Sequence, residues 1–292
     1  MKTTSHMTGH EKMDESNIAI LGARGMLGTD LTTLLKKNKL NFKAFDLPDC
    51  DITDPENIQN AVKGCSVIIN CAAYTNVEKA EDEPDLTFKV NADAVKNIAD
   101  AAKQNNAYLL HLSTDFVFDG QLDRPYRESD QPNPISVYGK SKLAGEQFLI
   151  ETGCNCSIIR IQWTYGLAGN NFVNKLITTA KKQKNLSVVN DQIGSPTATT
   201  EVAKVIYSLI TKKTKGLFHF ANAGFVTRYD MAKFIFDKLG TDIELKSCSS
   251  SEFKTKAKRP LNSRFDCTKI SKILNEPIES WQKLLENFLR KL

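Results

Sequence analysis

The sequence predicts an α/β fold in which a doubly wound parallel sheet is joined to a smaller C-terminal lobe. Three observations support this prediction. Short apolar runs alternate with helical patterns from residue 17 to residue 161, a glycine-rich turn directly follows the first run, and the regular alternation ends near residue 165. Alternating strands and helices are typical of a parallel sheet that is covered by helices on both faces.

Composition indicates an ordinary globular protein. The chain has 292 residues, 41% of them hydrophobic, and a net charge of +5 that is not concentrated in a basic run, so nothing favours nucleic acid as a partner. The seven cysteines are an odd number without paired spacing, and Cys154-x-Cys156 is too close for the usual zinc pattern. No apolar run approaches the length of a membrane span. We therefore expect reduced thiols, no membrane partner and a cytoplasmic location.

A glycine turn follows the first predicted strand, residues 17–21, and precedes a helical pattern of leucines. The spacing of Gly22, Gly25 and Gly28 is G-x-x-G-x-x-G, in the strand, turn and helix context of dinucleotide-binding proteins. Gly22 is expected to form the tight turn, Gly25 to let a pyrophosphate approach the backbone, and Gly28 to let helix and strand pack closely. We accordingly predict a flexible leader at 1–16 and a dinucleotide-binding domain at 17–165.

The second predicted strand, residues 42–45, leads to a residue that bears on cofactor choice. Asp46 stands where a carboxylate binds the adenosine ribose diol, which favours NADH, whereas Arg24 in the glycine loop could pair with a 2′-phosphate, which favours NADPH. Asp51 fits either a contact with the adenine amino group or the chemistry of a turn. The cofactor is therefore predicted to be NADH or NADPH.

The third predicted strand, residues 67–70, runs into the small residues of the 71–75 segment, which leave room for a ligand at the end of the strand. A long helix is predicted from about 85 to 105. The next strand, 108–112, delivers Ser113, Thr114 and Asp115 to the same edge of the sheet, and His111 within it is expected to be a core histidine with satisfied hydrogen bonds.

Tyr138 and Lys142 are four residues apart, so on a helix their side chains share one face. A lysine cation near a phenol favours the phenolate and is expected to lower the tyrosine pKa from about 10 towards neutrality. Such a tyrosine can exchange a proton with a carbonyl or alcohol, and the hydroxyl of Thr114 would hold the substrate oxygen.

The remainder, residues 166–292, is predicted to be mainly a substrate-binding lobe, with 200–221 returning to the sheet. A helix at 172–182 and an ordered loop at 191–197 come first. A helix at 229–239 and the Lys258-Arg259-Pro260 segment complete the lobe, and substrate is expected in the cleft between the two parts.

Eight motifs occur in a consistent order along the chain. They are Gly22-x-x-Gly25-x-x-Gly28, Asn70-Cys-Ala-Ala73, Ser113-Thr114-Asp115-Phe-Val-Phe118, Tyr138-x-x-x-Lys142, Trp163-x-Tyr165-Gly166, Asn170-Asn171-Phe172, Asp191-Gln-x-Gly194-x-Pro196-Thr197 and Arg259-Pro260-x-Asn262-Ser263. Together they resemble the extended short-chain dehydrogenase/reductases, and within that family the dTDP-4-dehydrorhamnose reductases.

The resemblance implies reduction of the C4 ketone of dTDP-6-deoxy-L-lyxo-4-hexulose by NADH or NADPH, giving dTDP-L-rhamnose. It implies that Tyr138 donates a proton to the forming hydroxyl, that Lys142 holds the nicotinamide ribose, and that Thr114 binds the sugar oxygen. The expected cofactor-binding residues are Gly22, Arg24, Gly25, Met26, Leu27, Gly28, Asp46, Asp51, Ile52, Ala72, Ala73, Tyr74, Thr75, Tyr138 and Lys142. The expected substrate-binding residues are Thr114, Asp115, Tyr138, Trp163, Asn171 and Arg259.

The chain departs from the family pattern at Gln162, where serine is usual, and at Arg228, where tryptophan is common. These positions bear on the sugar more than on the reaction type. A nucleotide-sugar 4-epimerase stays an alternative, whereas a dehydratase would need a glutamate where Phe116 stands. A regulatory subunit resembling the methionine adenosyltransferase beta subunit is the alternative from a different class, and the complete set of Thr114, Tyr138 and Lys142 favours an enzyme over it.

The expected partner is a nucleotide sugar, and the resemblance leaves a homodimer open. Some related reductases use a divalent cation at a dimer contact, but no metal-binding motif localises one in this sequence. The acidic group Glu78, Glu81, Asp82 and Glu83 is expected to be a solvated helix face.

Overall fold

The computed structural model describes residues 17–292, so the predicted leader at 1–16 lies outside the described residues. The strands are β1 (Ile18–Leu21), β2 (Phe42–Phe45), β3 (Val67–Asn70), β4 (Tyr108–Thr114), β5 (Cys156–Ile161), β6 (Thr164–Tyr165), β7 (Asn185–Val189), β8 (Ile193–Gly194), β9 (Thr197–Ala198), β10 (Gly216–Phe220), β11 (Val226–Thr227) and β12 (Glu244–Cys248).

The helices are α1 (Met26–Lys37), α2 (Pro55–Val62), α3 (Val77–Ala80), α4 (Pro84–Phe88), α5 (Ala94–Gln104), α6 (Val137–Thr152), α7 (Phe172–Ala180), α8 (Thr199–Lys212), α9 (Arg228–Leu239), α10 (Thr268–Ser271) and α11 (Trp281–Leu289). A π-helical turn (Lys89–Asp93) joins α4 to α5, and a 3₁₀ turn (Asp115–Val117) follows β4.

Six strands form one parallel sheet in the order β10-β5-β4-β3-β1-β2. Alternate residues of each strand point to opposite faces, and in β1 both faces are buried. Ile18 and Ile20 pack into the core cluster under α1 and α8, while Ala19 and Leu21 pack into the cluster under α2 and α5. Apolar side chains at every position of β1 and at the first three of β3 therefore bury a parallel sheet on both sides, which confirms the predicted doubly wound fold.

A separate apolar cluster forms the core of the smaller lobe. It contains residues from α7, α9 and α11, among them Val173, Ile235 and Leu285. The parallel pair β7–β12 and the short pair β8–β11 border this cluster. Two elements of this part of the chain join the large sheet instead. Helix α8 packs on its face, and strand β10 pairs with β5.

The predicted helix at 85–105 is interrupted. The structure has α4, the π-helical turn and α5 in succession rather than one regular helix. In a π-helical turn one extra residue enters the helix, which rotates the following side chains, and such turns are frequent at functional sites. Here the turn brings Asn91 against α6, where its amide donates to the Ser141 hydroxyl at 3.0 Å.

Candidate active site

The carboxyl ends of β1, β3, β4 and β5 lie at one edge of the sheet. The chain winds from β1 to β2 on one side, and β3 lies on the other side of β1, so the strand order reverses between β1 and β3. In open parallel sheets ligands bind at such a reversal, outside the carboxyl ends of the strands. Of the residues predicted from sequence to be functional, Gly22, Ala72, Thr114 and Trp163 lie at or just after these strand ends.

The glycine loop occupies the reversal point. Gly22 has a φ of +78°, and a Cβ there would stand 2.5 Å from the backbone nitrogen of Ala72. At Gly28 a Cβ would collide with the carbonyl oxygen of Gly22. The loop leads into α1, whose first-turn N–H groups have no intrahelical acceptor and are suited to an anion. A glycine-rich loop against a helix N-terminus fits the pyrophosphate of a dinucleotide.

Asp46 holds the glycine loop from the end of β2. Its carboxylate accepts hydrogen bonds from the backbone N–H groups of Arg24, at 2.7 Å, and Leu47, at 2.9 Å. The Arg24 guanidinium donates to the Leu47 carbonyl oxygen and forms an ion pair with Asp49 at 2.6 Å. Both partners of that pair are more than half exposed, so the pair contributes little stability and Arg24 can exchange Asp49 for another anion.

Two other residues that were expected to bind cofactor, Asp51 and Tyr74, make hydrogen bonds within the protein. Asp51 accepts from the Thr53 N–H at 2.8 Å, which matches the turn interpretation of this residue. The Tyr74 N–H donates to the Asn91 side-chain oxygen at 2.8 Å, and the Tyr74 hydroxyl donates to Glu83 at 2.5 Å. Sequence reasoning gave Asn91 no role, because only the π-helical turn aims it at the 71–75 segment.

Tyr138 and Lys142 lie on the first turns of α6, as their spacing predicted. The helix begins after Ser136, whose hydroxyl accepts from the Gly139 N–H at 3.1 Å. The phenol ring of Tyr138 packs edge-on against Phe116, with 5.4 Å between ring centroids, and Lys142 is buried. Both side chains therefore face the end of β4, where Thr114 lies.

The electrostatics of this pair differ from the sequence expectation. Burial raises the pKa of Tyr138 to about 12, the Thr114 hydroxyl opposes that rise, and the nearby Asp115 charge adds to it. Burial lowers the pKa of Lys142 to about 8. The Lys142 ammonium nitrogen lies 2.7 Å from the Leu112 carbonyl oxygen and 3.3 Å from His111 Nε2, so its contacts are with β4 rather than with the phenol.

Asp115 is a buried carboxyl beside the tyrosine. It accepts hydrogen bonds from the hydroxyls of Thr114, at 3.0 Å, and Ser263, at 2.5 Å. Burial raises the pKa of Asp115, and hydrogen bonds from Ser263 and Thr114, together with the Arg228 charge, work against that rise. Ser263 belongs to a motif seen in the sequence, but only the fold brings it to a carboxyl 148 residues away.

Arg228 covers one face of Trp163. Its guanidinium carbon lies 3.5 Å from the centroid of the Trp163 ring and 4.7 Å from that of Phe172. Burial lowers the pKa of Arg228 to about 9, the Asp115 charge works against this, and the Arg259 charge adds to it. Gln162, the other departure from the family pattern, is buried and accepts from the Ser195 N–H at 2.9 Å. Both unusual residues therefore lie beside the predicted sugar-binding tryptophan.

Asn171 and Arg259 have structural partners in addition to their predicted roles. Asn171 caps α7, accepting from the Asn174 N–H at 3.0 Å, and donates to the Gly166 carbonyl oxygen at 2.9 Å. Its contact with substrate stays a prediction. Arg259 forms an ion pair with Glu78 at 2.5 Å, which joins the 257–259 segment to α3.

The acidic group on and after α3 was expected to be a solvated face; its side chains are partly exposed, and they also bind other segments of the chain. Glu78 binds Arg259, and Asp82 binds Lys256 at 2.5 Å. Glu81 accepts from the Val137 N–H at 2.9 Å at the start of α6. The reason is tertiary: the 256–259 segment and the start of α6 fold back onto this surface.

Residues 17–292 show neither a metal-binding cluster nor a membrane-spanning helix. No group of three or more His, Cys, Asp or Glu side chains in that range is arranged to hold a metal ion. No helix within the same residues is long and apolar enough to span a membrane.

Comparison with known proteins finds consistent relatives over nearly the whole chain. A family described as RmlD substrate binding domain matches residues 16–292. A dTDP-4-dehydrorhamnose reductase of Aggregatibacter actinomycetemcomitans is 37% identical over 287 residues, covering 93% of this chain and 98% of that protein. The Escherichia coli dTDP-4-dehydrorhamnose reductase is 34% identical, covering 94% and 98%.

A solved structure gives the same picture. The crystal structure of a dTDP-4-dehydrorhamnose reductase from Bacillus anthracis in complex with NADP has a TM-score of 0.92 to this chain at 36% identity. The match covers 95% of this chain and 100% of that one.

Proposed function

The chain belongs to the family described as RmlD substrate binding domain, and from that premise we propose that it is an NAD(P)H-dependent dTDP-4-dehydrorhamnose reductase. It reduces the C4 ketone of dTDP-6-deoxy-L-lyxo-4-hexulose to the alcohol of dTDP-L-rhamnose. The observation that carries this proposal is the placement of Tyr138 and Lys142 on one face of α6, beside Thr114 and across the sheet edge from the glycine loop.

The bound nicotinamide cofactor supplies the hydride. Gly22, Gly25 and the first turn of α1 would hold its pyrophosphate, because the glycines carry no side chain that would block the approach to their backbone. Asp46 and Arg24 stand at the adenosine end. We assign NADPH as the preferred form, since the Arg24 guanidinium has an exposed ion pair and one hydrogen bond to the Leu47 carbonyl oxygen to give up for a 2′-phosphate, whereas both oxygens of Asp46 already accept from backbone N–H groups.

Tyr138 supplies the proton. A tyrosine whose pKa is about 12 is fully protonated at neutral pH, so it is in the donor form when the substrate arrives. Thr114, which is buried next to it, orients the ketone oxygen. Lys142 holds the cofactor ribose, and its charge stabilises the phenolate that remains after the proton has left.

Arg228 and Arg259 bind the oxygen-rich substrate. The Arg228 guanidinium makes no hydrogen bond to any of residues 17–292, although it is stacked on Trp163 and carries five N–H donors. The Arg259 charge disfavours the charged form of Arg228, so a ligand with negative charge is favoured beside them, and the diphosphate of a sugar nucleotide has that charge. Asp115 and Trp163 would then contact the sugar ring.

These placements assign a separate role to each part of the chain. Residues 17–165 bind the cofactor, and 166–292 mainly bind the substrate, with 200–221 belonging to the sheet. The homodimer and the cytoplasmic location stay predictions.

The test follows absorbance of the reduced nicotinamide. Purified protein is mixed with dTDP-4-keto-6-deoxyglucose, a 3,5-epimerase, and NADPH or NADH in parallel. Loss of absorbance that requires both the sugar and this protein supports the reductase and ranks the two cofactors. Cofactor binding without any turnover would refute it and favour the regulatory-subunit alternative.

A further inference from the structure

His111 lies in the middle of β4 and is completely buried, with a polar partner at each ring nitrogen. Its Nδ1 is 3.2 Å from the Asn70 side-chain nitrogen, and its Nε2 is 3.3 Å from the Lys142 nitrogen. Burial and the Lys142 charge hold the pKa of His111 well below its usual range, so the imidazole is neutral. A neutral imidazole has one N–H and one acceptor nitrogen, and its tautomer decides which faces Lys142.

Asn70 decides the tautomer. The backbone N–H of Ala72 points at the Asn70 side-chain oxygen, at 3.1 Å, and a backbone N–H can only donate. The oxygen of the amide is therefore turned to Ala72, and its NH₂ group is turned to His111 Nδ1. That nitrogen must accept, which leaves the imidazole proton on Nε2, opposite Lys142.

An ammonium has three donors and no lone pair, so it cannot accept this N–H. A neutral amine can accept it and still donate to the Leu112 carbonyl oxygen, 2.7 Å away. We propose that His111 is a positioning residue for Lys142: fixed by Asn70 as the Nε2–H tautomer, it favours the neutral amine of the lysine in the cofactor-free protein.

The other groups near Lys142 do not offer its ammonium form an unshared negative charge to pair with. The Cys71 thiol is buried, which raises its pKa to about 12, and the Tyr138 phenol is likewise neutral. Glu146, one turn further along α6, gives both carboxylate oxygens to Arg160, at 2.9 and 2.6 Å. The negative charge of Glu146 therefore acts mainly on Arg160, which is closer to it than Lys142 is.

One consequence rests on the proposed function, in which Lys142 contacts the cofactor ribose. Ribose hydroxyls offer oxygen acceptors that suit an ammonium, so binding of the cofactor is accompanied by proton uptake at Lys142, which approaches one full proton only above the free-protein pKa of about 8. The state of the free protein does not depend on that step and is measured separately.

The test reads the tautomer directly. In ¹⁵N-histidine-labelled, cofactor-free protein, the ring nitrogens of His111, identified by their loss in His111→Gln, should show the Nε2–H pattern with no titration between pH 6 and 9. His219 is the matched internal control. Its Nδ1 lies 3.0 Å from the Tyr126 carbonyl oxygen and its Nε2 faces the Arg160 guanidinium, so it must show the opposite, Nδ1–H pattern.

Two variants test the chain of contacts. Asn70→Asp replaces the NH₂ group by an acceptor and should switch His111 to the Nδ1–H pattern. His111→Gln should raise the pKa of Lys142, followed by ¹³C labelling of the lysine Cε, by about one pH unit. An Nδ1–H pattern or a protonated ring in the wild-type protein would overturn the proposal, whether or not the protein reduces a sugar.

Discussion

Replacing Lys142 by methionine should make the protein more stable at neutral pH, although it removes a residue of the active site. A fall in the lysine pKa from 10.5 to about 8 means that the buried charge lowers the free energy of unfolding. With about 1.4 kcal/mol per pH unit, that cost is about 3 kcal/mol at pH 7. Methionine has a similar length and no charge, but loses the hydrogen bond to the Leu112 carbonyl oxygen, about 1 kcal/mol. The expected net gain is about 2 kcal/mol.

The pH dependence of this gain has a definite sign. Between pH 8 and pH 10.5 the unfolded chain holds a proton at Lys142 that the folded chain has lost, so wild-type stability rises with pH in this window. The cost of the charge is fully present below pH 8 and has fallen to about 1.4 kcal/mol by pH 9.5. The advantage of Lys142→Met should therefore have nearly vanished at pH 9.5.

Urea denaturation at pH 7 and pH 9.5 measures both values. Lys140→Met is the matched control, since Lys140 lies on the same helix but is exposed, and its effect on the free energy of unfolding should not change with pH. A Lys142→Met variant that is destabilised at pH 7, or a gain that is equal at the two pH values, would refute the assignment of a costly buried lysine.

Three further predictions concern the reaction and its ligands. Tyr138→Phe should lower turnover by about 10²- to 10⁴-fold, because the proton donor is lost, while cofactor affinity in a fluorescence titration stays near wild type; full turnover would contradict the role of Tyr138. Arg24→Ala should weaken NADPH binding about tenfold and leave NADH binding unchanged, whereas Asp49→Asn should strengthen NADPH binding by freeing Arg24; equal effects on both cofactors would contradict a 2′-phosphate contact. Arg228→Met should raise the KM for the sugar nucleotide about tenfold with a small change in kcat, and Arg228→Lys should recover part of the loss; an unchanged KM would show that the guanidinium does not bind substrate.

Local sequence was sufficient for the strands that build the cofactor side of the sheet. The predicted bounds 42–45 and 67–70 are those of β2 and β3. In β3 a continuous apolar run that ends at a polar residue predicts a strand buried on both faces, and this information lies within a few residues. The β2 strand, at the edge of the sheet, is only partly buried. The glycine turn and the start of α6 were predictable for the same reason, since a turn, a helix cap and an i, i+4 pair are all local.

The long helix at 85–105 shows where periodicity stops being informative. Its apolar pattern predicts a helix but not the extra residue of the π-helical turn, because the turn is favoured by what packs against it. Asn91, with one amide hydrogen on Ser141 and its oxygen on the Tyr74 N–H, makes contacts 50 and 17 residues away. No window of sequence contains both ends of those contacts.

The sequence by itself determined the fold class, the glycine loop and the pairing of Tyr138 with Lys142. Only the tertiary structure decided the environment of these groups: the imidazole next to Lys142, Ser263 on Asp115, and Arg228 on Trp163. The physical reason is that apolar patterning fixes which residues are buried, whereas a pKa or a hydrogen bond depends on which buried neighbour is met. That neighbour is determined by the packing of distant segments. The position of the site could therefore be predicted from the sequence, but the pKa values and hydrogen-bond partners of its residues could not.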